Sequence, residues 1–455
     1  MKQFSIADKC RINTNIDTDT FVGIVCDEKG FTVNFPLGYH ISEDEKELRR
    51  DILLLMNAIA STVGRRESEI TEKAQSYNQV QFPFQAYLSL IYDFYGRGYY
   101  KEREVQYNIS KRGKIDWNKT IKTQKMYVQD NNVFYLDFVT KKNLTNENEL
   151  ITLVHEYCVY DAFLKLGWLF TASLPTSPRL KYNEKLFRRV VTDKLTNTFN
   201  DKNKALFTHM LAIINYLGDK ESNRNFKYGT SRFEYVWECL IDRVFGVGNK
   251  DAYYPKTTWN ISGASFEVSE NYENSSLRPD TIMISGGNIY IIDAKYYKYG
   301  AYPYPGMLPK STDINKQITY GEYLEKYKGV DTNSLFNAFI MPYNMAKNYF
   351  KLTSVVGNIG EAVGDWRENK KYYERIQGIV MDTRYLMYHY TGNPVKEKIA
   401  LADCIEAVLG RKEVPAAPGA VPVTPVHKPV VYDFNPKTTL SMVAEEKVPY
   451  GSKEN

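Results

Sequence analysis

The spacing of hydrophobic and polar residues changes several times along the chain, and the first 140 residues have mostly strand-like patterns. Residues 31–38 and 126–139 are rich in aromatic and β-branched side chains, which is typical of β-strands. The second stretch carries the polar turn Asp130-Asn131-Asn132 between two apolar arms, as a β-hairpin does. The pattern predicts a mixed, β-rich domain over residues 1–145.

A helical period follows. Asn146 suits an N-cap position, with Glu149 three residues further on, and apolar residues then recur at helical spacing as far as residue 163. Further helices are predicted at 182–195 and 204–217. Residues 146–218 therefore form a predicted helical connector.

The third section alternates between helix and strand. An amphipathic helix is predicted at 231–245, strands around 280–297, and a helix at 313–326. Strands at 336–341 and 376–381 and a last helix at 395–409 complete it. This order predicts an α/β (α+β) domain over 219–411, a mixed sheet flanked by helices. Residues 412–455, rich in Pro, Ala and Val, are predicted to be a disordered tail.

Composition narrows the class of protein. Hydrophobic residues make up 43% and charged residues 25% of the chain, as in ordinary soluble proteins. No apolar run is long enough to span a bilayer and no signal-peptide pattern is present, so we expect a cytoplasmic protein without a membrane partner. The five cysteines form no CxxC pair, so a metal would be held by oxygen ligands. The net charge of +5 permits nucleic-acid binding without requiring it.

The segment with candidate chemistry runs from Asp280 to Lys295. Gly286-Gly287 separates two apolar runs and suits a two-residue hairpin turn. Counting outward from that turn pairs Thr281 with Ile292 and places Asp280 opposite Asp293. Lys295, two residues beyond Asp293, projects from the same face of the strand.

Two carboxylates on paired positions repel each other unless they share a proton or a cation. Oxygen ligands of this kind suit Mg²⁺, and an ammonium beside them suits phosphodiester hydrolysis. The alternative interpretation is a structural cluster, with Asp280 at a strand end and Lys295 paired to Asp293. The shared register, the buried strand before Asp293 and the preceding acidic helix favour the catalytic interpretation.

The motif Pro279-Asp280 … Asp293-Ala294-Lys295 resembles the core of the PD-(D/E)XK nucleases. The surrounding segments YGTSRFEYVWE, LRPD, IIDAKYYKY and DINKQITY resemble LlaJI-type restriction endonucleases and the related McrC subunits. The resemblance is good over about 220–330 and loose over 80–410.

Several roles are implied by this resemblance alone. Asp280, Asp293 and Glu238 would hold Mg²⁺, or Mn²⁺ in its place, with the Ala294 carbonyl assisting, and Lys295 would be the catalytic lysine. Glu238 would be the acidic residue of the first core helix, with Glu234, one turn earlier, as its alternative. Gln317 and Tyr320 match a Gln…Tyr helix that lines the site, although an ordinary helix surface explains them equally well. A basic stretch, Lys111, Arg112, Lys114 and Trp117, is a weaker candidate for DNA or partner contact, because a solvated turn has the same composition.

The expected function is therefore that of a restriction endonuclease subunit cutting double-stranded DNA. The resemblance implies an AAA+ GTPase or ATPase partner, and the sequence itself has no P-loop, since the glycines of 357–364 lack the following Lys-Ser/Thr. A homodimer or larger assembly is compatible with this expectation. Two alternatives stay open: a non-catalytic subunit that stimulates an NTPase, and a DNA-repair or transposon-associated nuclease with the same core.

Overall fold

The computed structural model describes residues 5–16, 19–27, 30–66, 82–130, 132–146, 149–171, 173–218, 226–255 and 277–409. The chain divides into two compact units, and the division falls between Phe233 and Glu234. Residues 37–40 belong to the second unit, and the rest of the chain before the division belongs to the first. The predicted tail, 412–455, lies outside the described residues.

The first unit combines three small sheets with six helices in its described residues. Its elements are β1 (Cys10–Ile12), β2 (Val22–Asp27), β3 (Gly30–Phe35), α1 (Glu45–Arg66), α2 (Phe84–Arg97), β4 (Glu102–Ile109), β5 (Lys114–Ile115), α3 (Trp117–Thr123), β6 (Met126–Gln129), β7 (Asn132–Tyr135), β8 (Val139–Asn146), α4 (Leu150–Leu166), α5 (Glu184–Asn197), α6 (Asp201–Gly218) and β9 (Phe226–Thr230). The sheets have the strand orders β1-β3-β2-β9, β4-β8-β5 and β6-β7.

Aromatic packing and one buried ion pair hold the helices of this unit together. The ring of Phe82 stacks on Phe226 at 4.0 Å and on Tyr87 at 4.6 Å. The Tyr87 hydroxyl donates to Asp161, and the Lys165 ammonium donates to the same carboxylate at 2.6 Å. The buried ammonium is therefore paired and hydrogen-bonded, as a buried charge must be.

The second unit is built on one mixed sheet. Its elements are α7 (Phe233–Phe245), β10 (Thr281–Ser285), β11 (Asn288–Ala294), α8 (Ser311–Lys328), β12 (Leu335–Tyr343), β13 (Val356–Ala362), β14 (Ile376–Asp382), α9 (Thr383–His389) and α10 (Val395–Leu409). The strand order is β10-β11-β12-β14-β13. The central strands β11, β12 and β14 are parallel, and the outer strands β10 and β13 are antiparallel to their neighbours.

Helices cover both faces of this sheet. On one face, Ile318 and Leu324 of α8 pack into a core with Ile282, Ile291 and Phe339 of the strands. On the other, the hydroxyl of Tyr290 in β11 donates to Glu406 of α10. Because side chains alternate along a strand, Asp293 shares the α8 face with Ile291. The sheet thereby directs the candidate carboxylates towards α8.

Most predicted elements are present, with small shifts at their ends. The 126–139 hairpin is β6 and β7, and the helix expected at 313–326 extends over Ser311–Lys328. The expectation for Asn146 is wrong: this residue ends β8, which pairs with β4, and Glu149 occupies the N-cap position of α4. The strand ladder extends to Asn146, so the helix cap lies three residues later than the pattern indicated. In the described part of the chain, no helix combines the length and apolar character that crossing a bilayer requires.

Candidate active site

The Asp280–Asp293 pair is positioned by the hairpin of β10 and β11. Thr281 pairs with Ile292 and Ser285 with Asn288, which is the register expected from the sequence. Gly286 and Gly287 have φ angles of 58° and 87°, the left-handed values that a tight type I′ turn requires. Asp280 immediately precedes this ladder, and its Oδ2 accepts the backbone N–H of Ala294 at 2.8 Å. That bond fixes the first carboxylate beside the end of β11.

The two carboxylates interact directly. Asp293 is only 2% exposed, and Asp280 is close enough to hydrogen-bond with it. Burial, the charge of Asp293 and the charge of Glu238 raise the pKa of Asp280 well above its ordinary value, against the opposing bond from Ala294. Without a cation, Asp280 therefore holds its proton at higher pH than an ordinary aspartate does.

Lys295 is held between two acids. Its Nζ lies 2.6 Å from Asp293 Oδ2 and 3.0 Å from Asp313 Oδ1. Burial by itself lowers the pKa of Lys295, but Asp293 and Asp313 outweigh it and the net shift is upward. Lys295 is consequently a fixed ammonium rather than a neutral base. Its chemistry is the stabilisation of negative charge.

Asp313 was not among the residues singled out from the sequence, where it marked only the start of a helix. In the structure its Oδ2 accepts the N–H of Lys310 at 3.1 Å and the hydroxyl of Tyr297 at 3.4 Å. Partial burial raises the pKa of Asp313, but the ion pair with Lys295 lowers it by more, so the net shift is downward. The sequence held one signal that Asp313 belongs to the site: it lies one turn before Gln317, and residues four apart share a helix face.

Helix α7 contributes Glu238 and anchors the strand that carries Asp280. Glu238 lies near enough for its charge to act on Asp280, whereas the charge of Glu234 acts on Tyr296. The indole N–H of Trp237 donates to the Ile340 carbonyl at 3.3 Å, which ties the helix to β12. This placement agrees with the preference for Glu238 over Glu234.

A second ion pair supports the backbone of Asp280. Lys250 forms an ion pair with Asp242 of α7 and donates to the Asp280 carbonyl at 3.0 Å. The Thr281 hydroxyl donates to the same Asp242 carboxylate at 3.2 Å. Asp242 and Lys250 are thus additional supporting residues that the sequence did not reveal, because their contacts join segments far apart in the chain.

Gln317 and Tyr320 are buried on the inner face of α8 rather than on an ordinary helix surface. Burial and the charges of Asp293 and Asp280 raise the pKa of Tyr320, so its ring adjoins the acidic pair. The Tyr320 hydroxyl and the Gln317 Oε1 are buried and have no hydrogen-bond partner within the described part of the chain. The Tyr320 hydroxyl is therefore an unpartnered polar group near the carboxylates, and the Gln317 Oε1 is a second one on the same buried side of α8.

The donor set fits a hard divalent cation. Within the described ranges, no three His, Cys, Asp or Glu side chains are placed to hold a metal ion by themselves. Mg²⁺ does not need such a cage, since it is usually held by one or two carboxylates and keeps several waters. The repelling pair of Asp280 and Asp293 supplies that number of carboxylates, and the Tyr320 side chain, whose hydroxyl has no partner in the described part of the chain, adjoins the pair.

The basic stretch belongs to the first unit. Lys114 lies in β5, Trp117 begins α3, and the ring of Trp117 is 53% exposed with an edge contact to Phe138 at 5.8 Å. Lys111 and Arg112 are exposed in the turn before β5. A role for these four residues in contact with DNA or a partner stays a prediction.

Comparisons with known proteins identify the family of the chain. The family model described as LlaJI restriction endonuclease matches residues 21–359, and the chain belongs to that family. A curated relative is the type II restriction enzyme BsuMI component YdjA of Bacillus subtilis (strain 168), 28% identical over 275 residues. That match covers 56% of this chain and 57% of YdjA, so the chain spans little more than half of the relative's length.

A solved structure is also similar. It is a half-complex of Thermococcus gammatolerans McrB AAA+ hexamers with bound McrC, matched with 16% identity and a TM-score of 0.36. The match covers 84% of this chain and 83% of the matched chain.

Proposed function

We propose that this chain is the DNA-cutting subunit of a restriction system, an endonuclease that hydrolyses phosphodiester bonds with Mg²⁺. The observation that carries the proposal is the contact between Asp280 and Asp293, with the Lys295 ammonium 2.6 Å from Asp293. Membership of the LlaJI family supports the same substrate, double-stranded DNA. Mn²⁺, which prefers similar oxygen ligands, is expected to substitute for Mg²⁺.

In the proposed mechanism, Asp280, Asp293 and Glu238 would hold the cation, with the Ala294 carbonyl assisting. The cation supplies Lewis acidity to the phosphodiester. Lys295 carries a permanent positive charge towards the phosphate and stabilises the negative charge that grows there. Gln317 and Tyr320 contribute uncommitted oxygen and hydroxyl groups that orient water or phosphate.

We further propose that the chain works with a separate AAA+ GTPase or ATPase. The sequence lacks a P-loop motif, and the relative from Bacillus subtilis is named as one component of an enzyme. In this proposal the partner hydrolyses the nucleotide and moves the complex along DNA, and this chain cuts. Nucleotide-dependent cutting is the expected consequence.

The testing experiment compares methylated and unmethylated plasmid, with and without Mg²⁺. Each plasmid is incubated with the full chain alone, and with the products of adjacent genes plus GTP or ATP. We expect cleavage only with Mg²⁺, and more of it with the NTPase. Cleavage that persists in excess chelator would reject the metal mechanism, and unchanged cutting without any NTPase would reject the partner.

A further inference from the structure

Two loops follow the carboxyl ends of adjacent parallel strands beside the candidate active site. Loop A, residues 295–310, leads from β11 to α8, and loop B, residues 344–355, leads from β12 to β13. Since β11 and β12 are paired in parallel, both loops leave the same edge of the sheet. Lys295 begins loop A, so this edge is the one that carries the catalytic lysine.

The two loops pack against each other through their buried halves. The rings of Tyr299 and Phe350 lie 5.8 Å apart, and both belong to an apolar cluster around Met341 and Tyr343. Gly300 approaches β12 closely: a Cβ there would lie 2.1 Å from the Pro342 carbonyl oxygen. Loop A is therefore fixed across the end of β12 and does not stand away from the sheet.

The outer halves of the loops expose aromatic rings. Tyr302, Tyr304 and Tyr349 are 51%, 66% and 58% exposed. More than half of the surface of each of these three residues is open to solvent. Exposed aromatic residues grouped on one surface mark a binding site more often than isolated ones do.

The charge of the loops is of one sign. Between residues 295 and 310 and between 344 and 355 there is no Asp or Glu, whereas both loops carry lysines. Lys310, Lys347 and Lys351 are exposed and Lys298 is half-buried. A surface with lysines and tyrosines but no acid complements a nucleic-acid strand, because phosphates pair with ammonium groups and bases stack on aromatic rings.

Tyr297 connects the loop cluster to the candidate active site. Its hydroxyl donates to Asp313, the partner of Lys295, and its ring packs in the same cluster as Tyr299 and Phe350. The loops that carry the exposed tyrosines are thus joined to the site through this cluster.

We propose that loops A and B form a strand-binding surface, where Tyr302, Tyr304 and Tyr349 stack on unpaired bases and the lysines contact phosphates. This surface holds a single-stranded stretch of DNA next to the phosphate that is cut. The proposal rests on the proposed nuclease function and names the form of the substrate at that site. Duplex DNA hides the faces of its bases, so the rings have no role on an intact duplex.

The test measures binding of labelled oligonucleotides to the full chain in Ca²⁺, so that cleavage does not interfere. The variants are Tyr302→Ala, Tyr304→Ala and Tyr349→Ala, singly and combined, and Lys347→Gln with Lys351→Gln. The matched controls are Tyr327→Ala and Lys328→Gln. Tyr327 is 77% exposed at the end of α8, which leads to the amino end of β12 and so to the opposite edge of the sheet.

Single-stranded DNA should bind about tenfold more weakly to a variant that has lost one stacked base. A strand that lacks bases should bind the wild-type chain as weakly as the natural strand binds the triple tyrosine variant. The triple variant should bind the strand without bases no more weakly than that, because the stacking is already lost. The lysine variants should reduce the salt dependence of binding, by a slope of about 0.7 for each lost phosphate contact. The controls should bind as wild type.

Unchanged single-strand binding by the triple tyrosine variant would overturn the proposal, as would an equal loss on intact duplex and single strand. The nuclease function is judged separately, from plasmid cleavage in Mg²⁺. A chain that binds strands through these tyrosines but never cuts keeps the strand-binding surface and loses the proposed enzyme. If the wild-type chain cuts DNA but the tyrosine variants bind single strands normally, the proposed enzyme stands and the strand-binding surface is rejected.

Discussion

Lys295 and Asp313 form an ion pair between the end of β11 and the first turn of α8, with Nζ and Oδ1 3.0 Å apart. Lys295 also contacts Asp293, the carboxylate proposed to hold the cation. If Asp293 binds a cation, the Lys295 ammonium still has Asp313 as its ion-pair partner. The pair therefore fixes the position of a positive charge on a flexible side chain.

Asp313→Asn should lower kcat by about tenfold or more while leaving KM for DNA nearly unchanged, because the ammonium acts in the transition state. Asparagine keeps an oxygen for the Lys310 N–H, so the start of α8 is preserved. The ammonium should also react faster with an amine-acetylating reagent, as followed by mass spectrometry without any cation. Equal kcat and equal labelling of Lys295 in variant and wild type would show that Asp313 has no such role.

The Asp280–Asp293 repulsion predicts an unusual effect of pH on stability. The folded-state pKa of Asp280 is raised above its ordinary value of 3.8, so the folded state holds a proton that the unfolded state releases. Its stabilising contribution is fully present below 3.8 and is lost as pH rises through the raised folded-state pKa. In chelator, Asp280→Asn should therefore be at least as stable as wild type at neutral pH, although inactive.

Urea unfolding at a series of pH values in chelator tests this expectation. Asp331→Asn, at an exposed cap, is the control for a general effect of removing a charge. A large loss of stability in Asp280→Asn at neutral pH would mean that the Asp280 carboxylate is stabilising as a charge, contrary to the description above.

The glycine turn that sets the register of the hairpin gives a third prediction. Gly287 has a φ of 87° with open space around a Cβ position, so alanine there meets backbone strain and no steric clash. We expect Gly287→Ala to cost about 1 kcal/mol of unfolding free energy. Gly248→Ala, which also has open space but no positive φ, should cost less. Equal costs in denaturant titrations would contradict the turn geometry.

Because His155 is buried, we predict that the first unit loses stability in acid. It is fully buried, its Nδ1 accepts the Tyr100 N–H at 2.9 Å, and burial lowers its pKa to about 3. The unfolded state then binds the extra proton, so stability is lost as pH falls below the ordinary pKa of 6.5, at roughly 1.4 kcal/mol per pH unit. In His155→Asn, which offers an oxygen near the Nδ1 position, the urea midpoint should change less between neutral and acidic pH. An unaltered pH slope would exclude His155 as the cause.

The sequence predicted the parts of the site that depend on local geometry. Two glycines and the two-residue period of a strand suffice to place Asp280 opposite Asp293 and Lys295 on the same face, and the structure has that register. Glu238 was preferred over Glu234 because Ile241 and Phe245 flank it on the same edge of the helix, and in the structure the charge of Glu238 acts on Asp280.

Contacts between distant segments could not be predicted in this way. Asp313 reaches Lys295 only because α8 returns across the sheet, and Lys250 reaches the Asp280 carbonyl from a segment thirty residues earlier. The expectation for Asn146 failed for a related reason: a local cap signal was overridden by pairing of β8 with β4. Periodicity describes one element at a time, whereas these contacts depend on which elements meet.

The most direct test of the nuclease mechanism is Mg²⁺-dependent plasmid cleavage by Asp293→Asn, beside wild type and Glu374→Gln. Glu374 is a buried carboxylate just before the amino end of β14, and its partners, the N–H groups of Lys370 and Lys371, lie at the edge of the sheet opposite the site. We predict that Asp293→Asn loses cleavage, by about a hundredfold or more, while remaining folded, and that Glu374→Gln keeps it. Cleavage by Asp293→Asn at the wild-type rate would contradict the account.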